Sequence, residues 1–205
     1  MHANTRPLTL VLATANAGKQ RELAPLLGPL GLTLVLQSAL GIDSIAETGA
    51  TFEANALLKA RHAARRSGLP ALADDSGLEV DALDGRPGVW SARYAGAAAT
   101  DQDNNARLLS ELADVPAPRR GARYRCVLAL VRSAEDDAPV IASGSWEGRI
   151  ATAPTGSGGF GYDPLFVPEG HERTAAELPA AQKNALSHRG KALAALAAQL
   201  KRNPL

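Results

Sequence analysis

The chain has 205 residues, a formal net charge of +1 and one cysteine. That length supports a single domain with a sizeable core, and the near-neutral balance gives no global field for nucleic acid or a membrane surface. The lone Cys126 excludes an intramolecular disulfide and fits a reducing compartment. No C-x-x-C or H-E-x-x-H spacing occurs, which argues against zinc. The first apolar run, Leu8 to Ala15, breaks at once into Asn-Ala-Gly-Lys, too short and wrongly flanked for a signal peptide or membrane span. A soluble, cytoplasmic protein is expected.

Leu8 to Ala13 is a near-continuous apolar run, the pattern of a strand buried on both faces. It leads into Thr14-Ala-Asn-Ala-Gly-Lys19 and then a helical pattern through Arg21, Glu22, Leu23, Leu26 and Leu27. A strand, a small-residue turn and a helix opening with lysine outline an anion site, because free N–H groups and the positive helix end attract phosphate. The G-x-x-x-x-G-K spacing of a Walker A loop is missing, and an ordinary strand-to-helix turn with a surface lysine is the plainer alternative. Pro25 predicts a kink or a late start for this helix. Leu32 to Leu36 reads as a second strand. The loop Gly41 to Gly49 leads through Glu47-Thr-Gly-Ala-Thr51 into a helix with Thr51 as N-cap and Gly68 at its far end. Asn55 and Lys59, four apart, share a face of it.

Ala71, Leu72 and Ala73 read as the end of a buried strand, followed by Asp74-Asp75-Ser76-Gly77. Two adjacent acids at a strand end repel, and such a pair calls for a cation or a proton between them; an Asp-rich turn is the plain alternative. Thr100-Asp-Gln-Asp starts a helix through Leu108, Leu109 and Leu112. Tyr124 to Val131 and Pro139 to Trp146 form a hairpin, which Gly148-Arg-Ile-Ala extends. Arg119, Arg120, Arg123 and Arg125 read as a solvated basic face. Gly156-Ser-Gly-Gly-Phe-Gly161 satisfies G-x-G-x-x-G, but it runs into Tyr162-Asp-Pro164, which cannot open a helix, so the dinucleotide-binding reading is rejected. A glycine loop carrying Phe160, Tyr162 and Asp163 suits aromatic stacking beside a hydrogen-bonding carboxylate. Ser187 caps a final helix from His188 to about Leu200 with Leu193, Leu196 and Leu200 as its apolar stripe. His188 and Arg189 in its first turn oppose the helix dipole, which points to a polar or anionic partner for them.

Five segments carry a resemblance: Thr14 to Lys19; Glu47 to Phe52 with Asn55 to Lys59; Asp74 to Leu78; Gly158 to Pro164; and Lys183 to Arg189. In this order, spanning nearly the whole chain, they resemble the inosine triphosphate pyrophosphatase family, and most closely its bacterial members that act on dITP and XTP. Ala15, where many members carry glycine, and Pro25 are the departures. The resemblance implies an α/β fold, with an elongated mixed central β-sheet between two helical lobes and the active site in the cleft, all in one bilobed domain over residues 1–205. It further implies a homodimer and Mg²⁺-dependent hydrolysis of ITP, dITP or XTP to monophosphate and pyrophosphate.

By position, Thr14, Ala15, Asn16, Ala17, Gly18 and Lys19 would hold the triphosphate, with Lys59 and Arg93 adding charge. Asp75 would act as general base and metal ligand, with Glu47 and Asp74 as further ligands and Ser76 touching substrate. Phe160, Gly161, Tyr162 and Asp163 would hold base and sugar, and Lys183, His188 and Arg189 would complete the base pocket. Two other readings compete. One is a pyrophosphatase for other modified nucleotides, against which Ser187-His188-Arg189 argues. The other is a non-catalytic nucleotide- or nucleic-acid-binding module, disfavoured by the near-neutral charge and the intact carboxylates.

Overall fold

The chain's computed structural model describes residues 8–27 and 32–203. The apolar run at the start forms β1 (Leu8–Leu12), which pairs in parallel with β2 (Leu32–Leu36) over its full length. On its other side β1 pairs in parallel with β3 (Ala71–Val80) through Val11 and Leu12. β4 (Gly121–Val131), β5 (Val140–Ile150) and β6 (Phe166–Pro168) complete a six-stranded sheet of order β2-β1-β3-β4-β5-β6. β5 and β6 run antiparallel, so the sheet is mixed. Helices α1 (Ala17–Leu27), α2 (Phe52–Ser67), α3 (Asp101–Glu111), α4 (Ala180–Leu186) and α5 (His188–Arg202) flank it, an α/β architecture as expected.

The chain forms two compact units, Met1–Asp75 with Val127–Ser143 and Ala192–Leu205, and Ser76–Cys126 with Gly144–Lys191. In the first, α2 buries Ala56, Ala60, Ala63 and Ala64, a stripe of small side chains at helical spacing. Such a face lets a helix lie close to its neighbours, and α2 packs on β1. Its ends are fixed locally: Thr51 accepts the Ala54 N–H, and Gly68 takes the left-handed conformation with its N–H on the Ala64 carbonyl. In the second unit the core gathers Leu78 and Val80 of β3, Leu108 of α3, Tyr124 of β4, Trp146 and Ile150 of β5, and Phe166 of β6. Cys126 is fully buried on β4.

Three expectations are corrected. The strand does not end before the aspartates: β3 runs through Asp74-Asp75-Ser76-Gly77 to Val80. Turn propensity loses there to pairing of the carboxylates with lysines from α1 and α2. α1 does not start late, because Asn16 Oδ1 accepts the Lys19 N–H at 3.1 Å and fixes the helix start at Ala17. Nor is the arginine cluster one solvated face. Arg120 is buried and donates to the carbonyls of Leu112 (2.7 Å) and Val115 (2.8 Å), while Arg123 pairs with Asp81 and Glu147 at 2.9 Å each.

Removing the α2 cap with Thr51→Ala should lower the unfolding free energy by about 0.5–2 kcal/mol. Chemical denaturation measures this, and an unchanged midpoint would contradict the capping role.

Candidate active site

In the first unit, β1 delivers Ala13 and Thr14 to the start of α1. The Ala13 N–H bonds to the Leu72 carbonyl at 2.8 Å, which keeps the exit of β1 alongside β3. Thr14 is buried and ties the turn together: its Oγ1 accepts the Asn16 N–H at 3.1 Å and its carbonyl accepts the Gln20 side-chain amide at 3.0 Å. Ala15 and Asn16 are exposed, and Gly18 is buried within the first turn. The leading N–H groups of a helix have no intrahelical partners, so this turn presents donors and the positive helix end. Lys19 lies in that first turn, and its ammonium pairs with Asp74.

β3 buries Asp74 and Asp75, at 0% and 4% exposure, and alternation along the strand sends them to opposite sides. They are accordingly held by different helices. Asp74 pairs with Lys19 of α1; Asp75 Oδ1 lies 2.9 Å from Lys59 Nζ of α2. The same ammonium lies 2.7 Å from Glu47 Oε1. Glu47 comes from the loop before α2, and that loop is tied to the helix by Asn55, whose Oδ1 accepts the Gly49 N–H at 2.7 Å. Burial pushes the Asp75 carboxyl above its ordinary range against the pull of Lys59 and Lys19. For Lys59, burial acts to lower the pKa, but Asp75 and Glu47 outweigh it and raise it. Asp75 Oδ2 is buried without a hydrogen-bond partner.

Two carboxylates converging on one cation, with an unpaired buried oxygen between strand and helix, form a hard-oxygen donor set that suits Mg²⁺. Among the described residues, no group of three or more His, Cys, Asp or Glu side chains could hold a metal by itself. Asp74, the third carboxylate of the expected set, pairs with Lys19, and its charge also acts on Lys59.

In the second unit a buried carboxylate organises the glycine loop. Asp163 Oδ2 accepts the Phe160 N–H at 2.8 Å and Lys183 Nζ at 2.6 Å, and its Oδ1 accepts the Tyr124 hydroxyl at 3.3 Å. Gly159 has φ +74°, and a Cβ there would fall 2.0 Å from Asp163 Oδ2, so the loop folds over the carboxylate only with glycine at that position. Asp163 therefore fixes the loop's shape through donors from the Phe160 backbone, Lys183 and Tyr124. Phe160 is half-buried, with Lys183 Nζ 5.2 Å and Arg189 Cζ 5.7 Å from its ring centroid. Tyr162 is buried, its hydroxyl donating to the Ser91 carbonyl at 2.9 Å.

Ser187 Oγ caps α5 through the Gly190 N–H at 3.1 Å. The two basic side chains of the first turn find partners within the unit. Arg189 donates to Ser76 Oγ at 2.9 Å, and His188 stacks on Tyr124 with ring centroids 4.7 Å apart. The structure thus gathers Ser76, Phe160, Asp163, Lys183, His188 and Arg189 through shared contacts, with Tyr124 linking Asp163 to His188, while Arg93 lies over the Trp90 ring at 4.4 Å. Tyr124, which touches both Asp163 and His188, was read only as part of a strand. Its one available signal is strand alternation, which places a phenol on the same face as Ala122 and Cys126, and an inward hydroxyl needs a partner.

Comparison with known proteins bears on this arrangement. Residues 10–199 match the Ham1 family. A dITP/XTP pyrophosphatase of Methylococcus capsulatus is 62% identical over 192 residues, 94% of this chain and 96% of its own length. That of Escherichia coli K12 is 56% identical over 184 residues, 90% and 93% of the two chains. Among solved structures, a HAM1 protein from Coxiella burnetii superposes with a TM-score of 0.88 at 48% identity, covering 95% of this chain and 99% of that one. A nucleoside-triphosphatase (dITP/XTP pyrophosphatase) from Mycobacterium abscessus gives a TM-score of 0.75 at 46% identity, covering 97% and 100%. A family match over most of the chain, relatives of such identity and a shared fold agree: the chain belongs to the Ham1 family.

Proposed function

We propose that this chain is a single-domain pyrophosphatase that hydrolyses purine nucleoside triphosphates with non-standard bases, ITP, dITP and XTP, to the monophosphate and pyrophosphate. The observation that carries this reading is the Lys59 ammonium shared by Glu47 and Asp75 beside an unpaired carboxylate oxygen. The names of the relatives support it. The family resemblance extends it to a cytoplasmic homodimer that uses Mg²⁺. Its single cysteine fits a reducing compartment, and among the described residues no helix is long and apolar enough to cross a membrane.

Glu47 and Asp75 would hold the Mg²⁺, which when bound offsets negative charge on the phosphoryl oxygens. Thr14 to Lys19 bind the triphosphate through first-turn N–H groups and the Lys19 ammonium, and Lys59 supplies a second positive charge. Asp75 orients a water and takes its proton as the water oxygen bonds to the α-phosphorus. The bond from that phosphorus to the bridging oxygen breaks, and pyrophosphate leaves with the electron pair. Phe160 stacks on the purine, and Ser76 and Lys183 complete its surroundings. Donors on His188 and Arg189 match a 6-oxo group; a 6-amino group would set donor against donor and leave buried groups unpaired, at about 1–3 kcal/mol each.

Product analysis with ITP, XTP and ATP, with Mg²⁺ and with EDTA, tests the reading. Mg²⁺-dependent release of pyrophosphate and monophosphate from ITP and XTP, with ATP turned over far less, is expected. Orthophosphate with diphosphate, or binding without turnover, would overturn it. Asp75→Asn should retain the fold and lose about 10²–10⁴-fold in kcat; near-wild-type turnover would remove Asp75 as the base.

A further inference from the structure

Gly161 follows Phe160 in the glycine loop, and both of its backbone polar groups are held by one turn of α3. Asp101 Oδ2 accepts the Gly161 N–H at 2.7 Å, and Asn105 Nδ2 donates to the Gly161 carbonyl at 2.9 Å. Four residues apart, the two side chains leave the same face of the helix. Gly161 has φ +63°, a left-handed conformation that this pair of bonds holds from both ends. The Asn105 Oδ1 is buried and makes no hydrogen bond. Desolvating an unpaired carbonyl is unfavourable, so the compensation at this side chain is its donation to Gly161.

The helix that carries the clamp is itself fixed. A capping box between Thr100 and Asp103 closes its start. Asn104 is buried, accepting the Ala95 N–H at 2.7 Å and donating to the Ala92 carbonyl at 3.3 Å. At the far end Glu111 accepts from Tyr94 at 2.6 Å, Arg86 at 2.7 Å and Arg107 at 2.9 Å. On the other side of Phe160, its own N–H is held by Asp163. The backbone around this half-buried ring is therefore pinned before and after it, from two different parts of the fold.

We propose that Asp101 and Asn105 are positioning residues for Phe160, setting the plane of the ring before a purine arrives and so contributing to base affinity without touching the substrate. The inference rests on the reading of Phe160 as the base-stacking group. Asp101 is solvent-exposed and Asn105 half-buried, so both can be replaced without opening the core.

The test compares KM and kcat for ITP with the inhibition constant of inorganic tripolyphosphate, which has no base. It uses Asp101→Ala, Asn105→Ala, Asp101→Asn, Phe160→Ala and the Asp101→Ala/Phe160→Ala pair. Losing one such hydrogen bond should raise KM for ITP roughly fivefold, with kcat and tripolyphosphate inhibition little changed. Asp101→Asn, which keeps an acceptor oxygen, should restore KM. In the Phe160→Ala background Asp101→Ala should add nothing further, since both changes act on one ring. KM does not depend on the fraction of folded enzyme, so a loss of stability cannot mimic this pattern. If Phe160→Ala leaves KM for ITP unchanged, the stacking reading itself fails and the proposal with it. If Phe160→Ala weakens ITP but Asp101→Ala and Asn105→Ala do not, or if they weaken tripolyphosphate equally or add fully to Phe160→Ala, the clamp alone is overturned.

Discussion

An ionised carboxylate buried inside a strand must be answered by a positive charge, and β3 buries two in succession. Asp74 and Asp75 leave the strand on opposite sides, and each is met by a lysine from a different helix. This pairing requires α1 to begin where Thr14 and Asn16 place it, and α2 to begin where Thr51 caps it. Local capping in the sequence thereby becomes a tertiary position for Lys19 and Lys59. The same arrangement supplies what phosphoanhydride chemistry needs: positive charge for phosphate oxygens and a desolvated carboxylate whose pKa burial has raised.

The second unit solves a related problem with the opposite outcome. Asp163 is buried as deeply as Asp75, but its oxygens are taken up by Lys183, Tyr124 and the Phe160 N–H. A carboxylate satisfied by protein donors shapes a loop; one left with an unpaired oxygen is available for chemistry. The contrast between Asp75 and Asp163 separates a carboxylate with one oxygen left unpaired from one whose oxygens are held by the loop and its neighbours.

Much of this was legible in the sequence because it is encoded locally. The apolar run of β1, the limits of β2, the Thr51 cap with the Gly68 end of α2, and the Ser187 cap of α5 each depend on a few neighbouring residues. The absence of a helix after Gly156-Ser-Gly-Gly-Phe-Gly161 followed equally from Pro164. What was not legible depends on distant partners. Asp74-Asp75-Ser76-Gly77 has the composition of a turn, and the partners that accompany it as a strand, its sheet neighbours and Lys19 and Lys59, 55 and 16 positions earlier, are distant in sequence. The inward use of Asp163 needs Tyr124, 39 positions away, and Arg120 reads as surface until the carbonyls of Leu112 and Val115 are seen to receive it. The hold of α3 on Gly161 spans 60 positions and leaves no local trace.

The account stands on a water, deprotonated at Asp75, attacking the α-phosphorus of the substrate. Hydrolysis of ITP in oxygen-18 water, followed by mass spectrometry of both products, tests this most directly. The label should appear in the monophosphate, with unlabelled pyrophosphate. Label in the pyrophosphate, or in released orthophosphate, would place the attack on another phosphorus and contradict the assignment of Asp75 to this step.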